Sequence, residues 1–203
     1  MTKDEYAVTL ANYVPKNTAD ILTSWIYEHN IHLSISRNRK TKLGDFRTDS
    51  RNSLLRISVN GDLNPYSFLI TLVHEIAHAI VYKTHRRSIK PHGIEWKTEY
   101  KQLMLVFFAN NLFPDDIARP LASYMKNPKA SSNADRELFL SLRAYDKGVE
   151  HIIYLQDIEE GAEFILQNHL FRKGKKRRTR YSCTNVSNGR EYTVNALAEV
   201  VRA

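Results

Sequence analysis

A single cysteine stands in 203 residues. One thiol forms no internal disulfide, no CxxC redox pair and no cysteine-rich zinc ribbon, which excludes a disulfide-stapled secreted scaffold. A metal bound by this chain therefore rests on its 8 histidines and its carboxylates. Long hydrophobic runs are missing as well. The longest, Leu103 to Ala109, spans 7 residues, where a membrane-crossing helix takes about 20. The start of the chain carries Lys3, Asp4, Glu5 and Asp20 without an apolar stretch leading to a small-residue cleavage site, so no signal peptide is expected. Internal repeats and low-complexity tracts are lacking too. These absences predict a protein with no membrane partner in a reducing compartment, the cytoplasm.

What is present is a well-filled chain, 42% hydrophobic and 26% charged, too apolar to be disordered and long enough for one globular unit or two small ones. Its net charge of +8 admits polyanion partners. The value alone does not separate nucleic-acid binding from solubility, so the distribution of the charge must decide.

Periodicity divides the chain into an α+β arrangement. From Pro15 to Asn30, Ile21, Leu22, Trp25 and Ile26 recur at helical spacing. Residues 31–37 and 54–60 alternate apolar and polar positions as strands do, and a short edge strand fits between them around Leu43 to Arg47. Asn64-Pro65 opens a helix that is apolar on more than one face and so predicted to be buried. Lys90-Pro91-His92-Gly93 interrupts it, and a second helix resumes through Trp96, Tyr100, Leu103 and Phe107. The predicted organisation is a first domain over residues 1–125, a helical connection over 126–147 and a small antiparallel β module over 148–203.

The predicted buried helix carries His74-Glu75-Ile76-Ala77-His78. Two histidines four residues apart lie one turn apart on one helix face, so both imidazoles can reach one Zn²⁺. Glu75 is not expected to be a ligand. Beside the metal it would take a proton from a bound water and later deliver it to the departing amine. The simpler alternative is a carboxylate that only orients a histidine. A catalytic zinc takes three protein ligands and leaves a position for water. His92 leads for the third, since Gly93 gives the turn freedom to fold the imidazole back. His85 competes only if the helix ends near Tyr82, because in a continuous helix it lies about 10 Å beyond His78. Glu95 and Glu99 are further ligand candidates whose simpler role is solvent exposure.

With the HExxH motif at His74–His78, the turn at His92-Gly93 and the aromatic Trp96, the chain over about residues 10–125 resembles the SprT-like zinc metalloprotease family. The resemblance implies a minimal zincin-like domain with His74, His78 and His92 as zinc ligands and Glu75 as general base. It also implies proteolysis of a protein or peptide substrate, among them proteins associated with DNA or crosslinked to it. Many bacterial relatives add a cysteine-rich zinc ribbon; Cys183 stands alone, so that second metal site is not expected here.

The tail concentrates positive charge in Arg172, Lys173, Lys175, Lys176, Arg177, Arg178 and Arg180, followed by Tyr181. Such a hairpin can neutralise phosphates while an exposed aromatic stacks on an unpaired base, which makes DNA, single-stranded above all, the candidate partner. A solvated hairpin is the plainer alternative. Smaller basic clusters occur at Arg37, Arg39, Lys40 and Lys42 and at Arg86, Arg87 and Lys90. Cys183, Tyr181, Tyr192 and Phe164 are expected to pack within the sheet. The leading expectation is zinc-dependent peptide-bond hydrolysis; the competing one is a noncatalytic, zinc-stabilised module that binds DNA or protein.

Overall fold

The computed structural model describes residues 2–37, 42–48, 54–85, 90–148 and 152–203. They fall into two units, Met1–Lys147 and Gly148–Ala203. The architecture is α+β, with six α-helices and two sheets among the described residues. No described helix is long and apolar enough to cross a membrane.

In the first unit α1 (Lys3–Leu10) starts on a capping box in which Thr2 and Glu5 satisfy each other's backbone N–H groups. Helix α2 (Ala19–Glu28) begins later than Pro15 because Asn17 takes a left-handed conformation, φ 64°, and turns the chain first. Strands β1 (Ile31–Ser36), β2 (Gly44–Thr48) and β3 (Leu55–Asn60) form a sheet in the order β1-β3-β2. The outer strands run parallel and antiparallel to β3, respectively. Leu55, Ile57 and Val59 alternate into the core, and β2 is left as an edge.

Helix α3 (Pro65–His85) packs against that sheet. Pro65 occupies its first turn, where a missing N–H costs nothing, and the Asn64 side chain accepts the Ser67 N–H at 2.9 Å. Every residue from Phe68 to Ala77 is buried. Helix α4 (Ile94–Ala109) packs along it through Trp96, Tyr100, Met104 and Phe107. Helices α5 (Asp115–Lys126) and α6 (Arg136–Arg143) complete the unit. Residues 126–147, expected as a connection leading outward, instead belong to this unit. Leu138 and Leu142, on one face of α6, join the same core as Ile117 and Leu121 of α5, which buries the apolar stripe of that amphipathic helix.

The second unit is a six-stranded sheet in the order β4-β9-β5-β6-β7-β8, with every pairing antiparallel. Its strands are β4 (Ile153–Tyr154), β5 (Glu163–Leu166), β6 (His169–Arg177), β7 (Arg180–Asn185), β8 (Glu191–Asn195) and β9 (Glu199–Arg202). Leu155, Ile158, Phe164, Phe171, Cys183 and Val200 form its core. Phe164 stacks on Phe171, while Tyr192 meets Phe171 edge-on and stays partly exposed.

Candidate metal centre

His74 and His78 project from consecutive turns of α3, and His92 approaches from the turn before α4. Their three Nε2 atoms lie 3.0 to 3.2 Å from one another. A tetrahedral metal with nitrogen ligands at 2.0–2.1 Å sets those nitrogens about 3.3 Å apart, so the triangle is nearly the size of one face of that tetrahedron. Among the described residues this is the one cluster of three groups able to hold a metal.

Burial, reinforced by the neighbouring imidazoles, pushes His74 down to about 2 and His78 down to about 4. His92 is lowered by burial and by Lys97. All three rings are therefore neutral near pH 7. Three neutral rings whose nitrogens converge this closely can hold one cation between them, and the donor set fits a borderline-soft divalent metal.

The local conformation differs from the sequence expectation at the turn. His92 itself takes the left-handed conformation, φ 57°, whereas Gly93 has φ −70°. Glycine is needed at 93 for space rather than for dihedral freedom: a Cβ there would meet the Lys90 carbonyl oxygen at 2.8 Å. His85 lies at the end of an unbroken α3 and lines a separate groove with Glu95 and Glu99. The triad leaves all three outside.

Trp96 braces the cluster. Its ring centroid lies 4.5 Å from His74, 5.2 Å from His78 and 4.7 Å from His92. Its indole N–H donates to the His74 carbonyl at 3.3 Å, and Tyr100 stacks behind it and donates to the Ile70 carbonyl.

Glu75 is buried next to the triad, in a cleft of about 580 Å³ lined also by Gly44, Asp45 and Phe46 of β2 and by Tyr100. Burial pushes its carboxyl up to about 8, and the negative charge of Asp45 adds to the rise. Lys42 and the Phe46 N–H, which donates to the carboxylate, oppose it. For Asp45, burial favours the neutral form, but hydrogen bonds from Lys42 (2.9 Å) and Arg47 outweigh it and keep the carboxyl below its usual range. A carboxylate whose proton affinity is raised close to neutrality, beside a triad able to hold a metal, can both accept and return a proton.

Gly44, Asp45, Phe46 and Tyr100 were not singled out as site residues by sequence. A glycine inside a strand is the available signal, since it marks close approach of another chain segment. A Cβ on Gly44 would lie 2.6 Å from Thr71 Cγ2 and 2.9 Å from Glu75 Oε1. Gly44→Ala is therefore expected to shift Glu75 or β2 and to lower any turnover by about 10²-fold, with bound metal unchanged. Parallel measurement of kcat and metal stoichiometry checks this.

In the second unit Lys175, Lys176, Arg177, Arg178 and Arg180 are exposed around the β6–β7 hairpin. Arg172 is exposed too and pairs with Glu163 at 2.9 Å. Lys173 departs from the expected phosphate-facing set. It is only 4% exposed, and its ammonium donates to the carbonyls of Ile158 and Gln156. A β-bulge between Lys173 and Lys176 changes the register of the strand, which leaves Lys173 on the core side and the later cations outside. Tyr181 is half-buried, and the Lys173 ammonium sits 4.1 Å from its ring centroid, so that face is not open to a base. Arg37, Lys42 and Lys90 are exposed; Arg39, Lys40, Arg86 and Arg87 lie outside the described residues.

Residues 17–115 match the family model described as the SprT-like family. No curated protein and no solved structure matches the chain.

Proposed function

With residues 17–115 belonging to the SprT-like family, we propose that the chain is a zinc-dependent peptidase, the sheet and helices around α3 forming a minimal zincin. The observation that carries this is the convergence of His74, His78 and His92 at 3.0 to 3.2 Å beside a buried Glu75. Zinc held there supplies Lewis-acid polarisation of the substrate carbonyl and acidifies a water.

The chain's own residues do the rest. The triad presents three neutral nitrogens. Glu75 removes the proton from the attacking water and returns it to the amine that leaves. The Phe46 N–H and the absence of a side chain at Gly44 hold that carboxylate in place. Edge strand β2 borders the cleft, so an extended peptide can add to it as a further strand, aligned by backbone hydrogen bonds.

The test is turnover itself. Zinc-loaded protein should cleave an unfolded protein, lose that activity to a chelator and regain it with zinc. Binding without cleavage under these conditions would favour the noncatalytic zinc-stabilised module instead.

We further propose that the β6–β7 hairpin brings this activity to DNA-associated proteins in the cytoplasm. Support comes from the five exposed cations between Lys175 and Arg180. Replacing all five by uncharged residues is expected to flatten the slope of log K against log salt for single-stranded DNA by up to about 3.5. An unchanged slope in a filter-binding titration would remove the hairpin from the proposal.

A further inference from the structure

The cleft has a wall that the family-matched segment does not supply. Ala130, Ser131, Ser132 and Asn133, between α5 and α6, line it together with the triad and β2. We infer that this segment is the specificity-determining wall of the cleft and selects an uncharged, apolar substrate side chain beside the scissile bond. The inference deepens the peptidase proposal and rests on it.

The wall is built rather than loose. Tyr124 donates from its hydroxyl to the Lys129 carbonyl at 2.8 Å, and the Ser131 hydroxyl accepts the Asn133 N–H at 3.2 Å. Lys97 and Lys101 of α4 reach Asn127 Oδ1 and the Lys126 carbonyl at 2.7 and 2.9 Å. The segment is thereby tied to the helix that carries Trp96 and Tyr100, and helices embedded in the core hold both its ends. A wall tethered in this way keeps its shape when a substrate arrives, which is the condition for selecting by size.

Its chemistry sets what is selected. The side chains at 130–132 are a methyl and two hydroxymethyls, which leave space where larger residues would fill it. Ile70 and Tyr100 line the same cleft and are themselves buried. Apart from the triad and Glu75, the charged side chains of the lining are Lys42 and Asp45, and they pair with each other at 2.9 Å. An acidic substrate side chain would compete with Asp45 for Lys42 and Arg47, a basic one would compete with those cations for Asp45, and either would lose hydration that an apolar side chain does not have to give up.

The experiment uses the full chain loaded with zinc and peptides that differ at one residue flanking the cut: Leu, Phe, Ala, Asp or Lys. Wild type is compared with Ala130→Trp, a change at an exposed position, and with Ser131→Phe. The wild type should favour Leu and Phe over Asp and Lys by about 10-fold or more in kcat/KM. Either variant should lower Leu and Phe by about 10-fold while leaving the Ala peptide within about 3-fold, with zinc stoichiometry and Tm unchanged.

Equal losses on all peptides, or no change on any, would overturn the wall, as would a wild-type preference for Asp or Lys. Should the wild type cut none of the peptides, the peptidase proposal fails, and their affinities for the same zinc-loaded protein decide the wall separately. A Leu and Phe preference that Ala130→Trp erases upholds it; equal affinities reject it.

Discussion

Glu75→Gln is expected to abolish peptide cleavage, lowering kcat by about 10² to 10⁴-fold, while the protein keeps its full complement of zinc. Glutamine preserves the size of the side chain and can still accept the Phe46 N–H, but it cannot take and return a proton. The ligand set is untouched, since the cluster able to hold a metal consists of the three imidazoles and does not include Glu75. Retained turnover with normal zinc content would remove Glu75 from the chemistry.

The same substitution carries a stability signature with a defined sign. The folded, metal-free protein holds the Glu75 proton up to about 8, against an ordinary value of 4.5. The unfolded chain releases that proton near the ordinary value, so wild-type stability is full below it and falls as pH rises toward about 8. The Tm difference between Glu75→Gln and wild type, both with metal removed by a chelator, should therefore widen in favour of the variant from pH 5 to pH 8. A constant difference across that range would show that the carboxyl is not buried in the way described.

The second large effect is expected from the ligands. Removing one imidazole leaves two, one fewer than the three protein ligands a catalytic zinc takes, so His74→Ala, His78→Ala or His92→Ala should weaken zinc binding by more than the roughly 10 to 100-fold typical of losing a group that only orients a ligand. At free zinc about 100 times its dissociation constant, the wild type gains about 2.7 kcal/mol, several degrees in Tm for a domain of this size. The three variants should lose that zinc-dependent rise. His85→Ala should keep it, because His85 lies at the far end of α3. Competition for zinc with a chromophoric chelator, run beside thermal melts, separates these outcomes. A normal zinc response in His92→Ala would mean that another group completes the site.

Trp96 ties the triad to the packing of α4 on α3. Its indole contacts all three rings and ties itself to the α3 backbone at His74. The arrangement couples the packing of α4 on α3 directly to ligand geometry. The outer groups are thus as much a part of the centre as the nitrogens.

Much of this was legible in the chain. The four-residue spacing of His74 and His78 fixes their common face because helical periodicity is a local property. The apolar run around them predicts burial, the Pro-His-Gly interruption predicts the turn that returns His92, and alternation predicts β1 and β3, with a short edge strand fitted between them. The lone Cys183 excludes metal sites built on several cysteines. These conclusions depend on residues a few positions apart, whose relation the backbone itself sets.

Tertiary packing decided the remainder. Gly44 lies against Glu75 across 31 positions of sequence, and residues 130–133 return to the cleft from beyond α5; neither approach has a local periodic signal. Lys173 illustrates the same limit in the second unit. Within a run of cations it looks equivalent to its neighbours, yet a bulge and a pair of inward carbonyls place it in the core. Sequence determined which groups could perform metal chemistry. Only the packing of strand, helix and loop decided which of them meet, because through-space contact depends on how separate elements share one core and not on the spacing within any one of them.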